Sequence, residues 1–384
     1  MPLLPVLLAT FLLSGTCSML EYGMYFLTEN KLGFSDTANL LLALLFGLGY
    51  AGGAVLSHKA STRTGEKPLM AACLLAQVAM AGWIAWQPAP AVVFVANTVL
   101  AICFGLFWPV IESRIVAGRP GRAATRALGR FNLTWAPASV AGTAVSGLLL
   151  ERGTGFFFAT TAVINLAGLL LIAAAFPRQA EHLAHDHPEK PDAPTLARVK
   201  PLLASARIGM IASYMAILFL APLVPKTFKA LGLTPAMATV LAASAFGTRF
   251  LMFGILDRWH GWHLKAWPLA LSAMAIPAGI YLTLFGPNVP VIVGGQALLG
   301  MALGAIYVAS IDYGMIEKNA SVEGGGDHEL GVGLGFTCGP LLGLLGIWLG
   351  HFPALGANGG MALGMLPAAG LSLWMLRPLL RKQE

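Results

Sequence analysis

Long apolar runs alternate with short polar breaks along the whole chain. A run such as LLLALLFGLGYAGGAVL (40–56) lacks the strict polar/apolar alternation that a strand of a membrane barrel keeps over about ten residues. Each run is roughly 20 residues long, the length that about 30 Å of hydrocarbon demands of a helix rising 1.5 Å per residue. Twelve spans are predicted, over 4–28, 38–57, 68–87, 91–116, 128–150, 155–176, 203–224, 236–256, 267–286, 289–315, 330–350 and 354–376. In lipid a helix satisfies its backbone polar groups within one segment, so all twelve are read as helices and the fold class as all-α, a polytopic membrane protein.

Composition agrees. The 384 residues are 57% hydrophobic and 11% charged, against about 25% charged in a soluble domain. With the N-terminus inside, 19 of the 24 basic residues fall in inner segments and 4 in outer loops, Arg249 being left within a span. That bias predicts both termini in the cytoplasm and a multi-pass protein of the cell (inner) membrane. The same dispersal removes a nucleic-acid partner despite a net charge of +7. The start MPLLPVLLATFLL lacks a basic n-region and is read as the first span. Cys17, Cys73, Cys103 and Cys338 lie in predicted spans without CxxC spacing, so neither disulfide nor zinc site is expected. HLAHDH, with His182, His185 and His187 beside Asp186, reads as hydrated linker because nothing nearby would fix metal ligands. No cofactor is expected.

The chain repeats itself. LGFSDTANLLLALLFGLGY (32–50) aligns with LGLTPAMATVLAASAFGTRF (231–250), FGLFWPVIESRI (104–115) with GAIYVASIDYGM (304–315), and ALGRFNLTWAPASVAG (127–142) with ELGVGLGFTCGPLLG (329–343). The three blocks keep one order at nearly constant spacing. Between the halves lies PRQAEHLAHDHPEKPDAPTLARVK (177–200), the longest polar stretch. The expected organisation is a six-helix bundle over 1–176, a cytoplasmic linker over 177–202 and a second like-oriented bundle over 203–384, pseudo-symmetric about an axis along the membrane normal.

This arrangement resembles the major facilitator superfamily. Of that family's loop motif after span 2, the chain keeps Arg63, Gly65 and Lys67, with Thr62 in the acidic position; after span 8 it keeps Asp257, Arg258 and Gly261. Span 11 carries Gly335, Gly339, Pro340 and Gly343, the mate of a reduced glycine-proline signature around Pro137 and Gly142. The resemblance implies a cavity lined by spans 1, 4, 7 and 10, with spans 2, 5, 8 and 11 at the boundary between halves.

Charges inside a bilayer cost on the order of 2.5–3.5 kcal/mol on insertion scales, so those within spans are site candidates. They are Glu21, Glu112, Arg249 and Asp312, of which Glu112 and Asp312 are repeat mates. Arg249 is expected to attract a negatively charged or carbonyl-bearing substrate group. Asp312, with Glu21 or Glu112 as alternatives, is expected to carry a proton. A structural lock of Glu112 or Asp312 with Arg114 or Arg258 is the competing expectation. Tyr22, Tyr25, Trp108, Asn132, Trp135, Tyr214, Tyr307 and Tyr313 are expected to supply stacking faces and hydrogen bonds. Pro109 in span 4, and Pro222 and Pro225 in span 7, predict bent helices.

No GxxxxGK[ST] loop is present, and no HExxH or GxSxG, which excludes ATP-driven pumping by this chain and argues against an enzyme. The expected function is secondary active transport of a small, anionic or amphipathic organic solute by a monomer, coupled to protons or another ion. A lipid flippase and a non-transporting sensor are the alternatives.

Overall fold

A computed structural model of the protein describes residues 3–119, 121–181, 192–317 and 322–380. Among them twelve helices are long and apolar enough to cross a membrane. Numbered as spans 1 to 12, they are Leu3–Leu32, Asp36–Thr64, Glu66–Trp86, Pro90–Val116, Arg126–Arg152, Thr154–Ala175, Ala193–Leu220, Pro235–Arg258, Trp267–Phe285, Val289–Gly314, His328–Leu349 and Gly356–Leu380. An even number of spans returns the chain to its starting side. One face therefore carries both termini, and the opposite one is called distal below.

Two expectations need correction. The predicted linker over 177–202 is helical from Ala193 onward, because Asp192 caps that helix by accepting from the Thr195 N–H at 3.0 Å and Pro194 sits in its first turn. The first ten residues of this helix, Ala193 to Leu202, include Arg198 and Lys200 and so fall outside the apolar run. Span 7 does not bend at Pro222 and Pro225. It ends at Leu220 and a separate short helix, Val224–Ala230, follows, since Pro222 has no N–H to continue the ladder. Span 4 does continue through Pro109 as one helix. The linker histidines His182, His185 and His187 lie outside the described residues.

Backbones approach closely where small residues recur, as helices do when lipid offers no hydrophobic drive. Gly105 of span 4 lies against the Tyr50 carbonyl of span 2, and Gly300 of span 10 against the Ala245 carbonyl of span 8, so corresponding helices of the two halves pack in the same way. Between halves, Gly47 of span 2 lies against the Phe336 backbone of span 11, and Gly147 of span 5 against the Pro235 carbonyl of span 8. Gly339 instead seats span 11 on Met215 of span 7, with Pro340 in the same helix. The boundary between halves thus runs along spans 2 and 11 on one side and 5 and 8 on the other.

Candidate functional site

Between the halves lies a cavity of about 710 Å³, lined from spans 1, 2, 4, 5, 7, 8, 10 and 11. Arg249 projects into it from span 8 and is only 3% exposed. One guanidinium nitrogen, Nη2, donates to the Tyr214 hydroxyl at 2.7 Å. The carbon Cζ sits 4.4 Å from the Trp135 ring centre, 4.6 Å from Tyr307, 5.5 Å from Tyr214 and 5.6 Å from Phe253. Ring faces stabilise a desolvated cation by about 2 kcal/mol or more each at best, less than an ion pair's charge would. Among the described residues no carboxylate lies within ion-pair distance of Arg249, and its Nε is buried without an acceptor.

Acids face the same cavity from other helices. Tyr50 of span 2 donates its hydroxyl to Oε2 of Glu329 in span 11. Glu112 of span 4 lines the same cavity wall as Glu329. Tyr50 and Glu112 belong to the first half and Glu329 to the second, so this cluster ties the halves together at the cavity wall. Glu21 of span 1 also lines the cavity, with Ser14, Ser18 and Ser139.

Eight residues expected from the sequence meet here: Glu21, Tyr22, Trp108, Glu112, Trp135, Tyr214, Arg249 and Tyr307. The others are elsewhere. Tyr25 is packed in the apolar core. Tyr313 accepts from the Leu264 N–H at 3.0 Å and fastens the loop after span 8, where Leu264 has a φ of 54°. Asn132 and Asp312 line a second cavity of about 600 Å³ towards the face of the termini, together with Asp257, His260 and His263. There Asp312 Oδ2 is 3.3 Å from Nδ1 of His263, and that hydrogen bond raises the imidazole pKa above its ordinary value. Asp312 is thus not brought to Arg249. The rings of Trp135, Phe253 and Tyr307, with centres 5.4–5.5 Å apart, stand between the two cavities.

The expected cation locks take other partners. Arg114 is fully buried and pairs with Glu66 at 2.8 Å, not with Glu112. It also donates to the Pro177 carbonyl at 3.0 Å, and Glu66 accepts from the Ala180 N–H at 3.1 Å. The acid of the loop after span 2 is therefore Glu66, one residue beyond Gly65, whose φ of 94° ends the helix. Lys67 donates to the Ala173 carbonyl at 2.6 Å, while Arg63, Asp257 and Arg258 are exposed. On the distal face, Lys226 pairs with Asp36 at 2.7 Å and Lys229 with Glu29 at 3.3 Å, in each case second half to first.

Sequence reasoning missed Tyr50, Glu329 and the neighbouring His328, whose ring packs edge-on against Tyr307 at 4.6 Å. The available signal was slight. The apolar run of span 11 starts directly after Glu329, which left this carboxylate just outside the boundary drawn at 330.

The chain belongs to the Major Facilitator Superfamily, whose family model matches residues 6–320. Two crystal structures of the nucleoside transporter NupG, one of them of a mutant, share the fold. The mutant has a TM-score of 0.67 at 14% identity, covering 97% of each chain; the other has 0.67 at 11%, covering 100% of each. No curated protein matches the chain by sequence.

Proposed function

We propose that the protein is a proton-coupled secondary transporter for a small organic solute bearing a carboxylate or a polarised carbonyl, working by alternating access. The observation that carries this reading is the buried guanidinium of Arg249, which faces the central cavity with no carboxylate among the described residues within ion-pair distance and one N–H unused. A buried charge left unpaired is costly, and a ligand that supplies the missing acceptor gains what the protein forgoes. The aromatic rings around it suit a planar or apolar solute body. Nucleosides, transported by the structurally similar NupG, carry such carbonyls and ring faces and form a second class to test beside carboxylates.

The proton in this reading sits on the Glu112 and Glu329 pair rather than on Asp312, which faces His263 in the other cavity. Loss of that proton sets two carboxylates against each other across the boundary between halves, which favours separation there. Proton release and rocking of the halves become one event. We place both termini in the cytoplasm of an inner-membrane monomer, as the distribution of basic residues suggests.

Proteoliposomes test this. Counterflow of labelled carboxylates and nucleosides identifies the solute, and accumulation under an imposed pH gradient reads the coupling. Arg249→Gln is expected to lower counterflow at least tenfold. Glu329→Gln keeps an acceptor for Tyr50 and is expected to retain counterflow while losing pH-driven accumulation. Full accumulation by Glu329→Gln would remove the pair from the mechanism, and unchanged counterflow by Arg249→Gln would remove the anchor.

A further inference from the structure

A third cavity opens from the same arginine in the other direction. It shares Tyr22, Ile217, Phe246 and Arg249 with the central cavity, and then runs between spans 7, 8, 9 and 10 towards the distal face. Apart from Arg249, Thr283 and Gln296 its walls are mainly apolar, with Phe26, Leu220, Val224, Leu299 and Leu303 among the lining residues. All five are buried. Tyr22 and Phe246 stand edge-on to each other at 5.0 Å where the two spaces meet.

One stripe of span 10 measures the chamber. Gln296, Leu299 and Leu303 line it at helical spacing, and Tyr307, one turn further on, faces the central cavity. Seven residues from Gln296 to Leu303 correspond to a length of about 10 Å. The chamber extends about 10 Å along span 10, is apolar along its sides, and begins at Arg249, which among the described residues has no carboxylate within ion-pair distance.

We infer that this chamber is a subsite for the apolar arm of an amphipathic anion whose charged head is held by Arg249. The inference rests on the anion-anchor reading above and adds to it a second, independent determinant. Arg249 selects the head group by charge. The chamber selects the tail by length, with affinity rising for each methylene buried until the space is full.

Straight-chain carboxylates from acetate to decanoate are the probe, with binding to protein in nanodiscs followed by the fluorescence of Trp135 and its neighbours. Affinity should rise roughly fourfold per methylene and then level off. Val224→Trp fills the chamber near its distal end; it should bind acetate like the parent protein and lose about tenfold or more of the gain with octanoate. Leu303→Ala enlarges the space and should move the plateau to longer chains. A flat series in the parent protein, or a slope that neither variant alters, overturns the subsite. The anchor is judged separately. If Arg249→Gln binds acetate as well as the parent, the anchor fails, and the uncharged n-alkanols then test the chamber alone by the same slope and the same variants.

Discussion

The Tyr50 hydroxyl donates to the Glu329 carboxyl across the boundary between the two six-span halves, and Glu112 of a third helix lines the same cavity wall. In the proposed mechanism a proton held between Glu112 and Glu329, with one half of the molecule on each side, couples charge to shape. With Glu112→Gln and Glu329→Gln combined, the charge no longer varies. Distances between spin labels on the terminal-face ends of spans 2 and 11 should shift with pH in the parent protein and stay fixed in the double variant. Equal pH dependence in both would mean that the cluster is only a structural tie.

Arg249 is held by shape as much as by charge. Its guanidinium lies 4.4 Å from Trp135 and 4.6 Å from Tyr307, a stacking that a compact ammonium does not reproduce. Arg249→Lys is expected to weaken carboxylate binding about tenfold or more despite conserving charge. Isothermal titration against the ligand identified by counterflow checks it.

Glu66 and Arg114 form the buried pair that fastens the segment after span 6 to the loop after span 2. Removing one partner leaves the other charged and buried, at a cost of about 3–5 kcal/mol. Glu66→Ala should lower the thermal unfolding temperature in detergent strongly, and adding Arg114→Met should restore part of the loss. Two additive losses would contradict the pairing.

Contrasting glycines test the helix contacts. A Cβ on Gly105 meets the Tyr50 carbonyl and the Ala54 nitrogen, so Gly105→Val is expected to cost about 1–3 kcal/mol and, by displacing Tyr50, to reduce transport. Nothing lies near the Cβ position of Gly52, and Gly52→Ala is expected to stabilise by about 0.5–1 kcal/mol. Unfolding curves of both variants decide.

His263 gives a pH signature. Its pKa is raised in the folded protein by the hydrogen bond with Asp312. The stabilisation is therefore complete below the ordinary histidine value of about 6.5 and disappears as pH rises through the raised one. Asp312→Asn should destabilise more at about pH 5.5 than at about pH 9. The opposite order would show that the pair does not act through the imidazolium.

The helices were legible because lipid imposes one length and one polarity on every span, and the repeat was legible because three blocks recur in one order at offsets of about 200 residues. Arg249 and Glu112 stood out as charges within apolar runs. Their partners did not. Glu112 shares a cavity wall with Glu329 and Asp312 meets His263 through helix rotation and loop placement, which spacing along the chain does not encode. Duplication even misled: Glu112 and Asp312 are mates by alignment, yet they face different cavities because the second half inserts His263 beside Asp312. The break after Leu220 was signalled by its prolines, but whether they bend or end a helix depends on what the next turn packs against.

The ion pairs of Lys226 with Asp36 and of Lys229 with Glu29 hold the distal ends of the halves together, and both lysines are more than half exposed to solvent. Exposed pairs of this kind contribute about 1 kcal/mol or less apiece and fade as ionic strength rises. The clasp on that side is accordingly a weak one, adjustable by the salt bathing the distal face. A brackish medium would tilt the resting population towards release on the distal side without any change in the solute or its gradient.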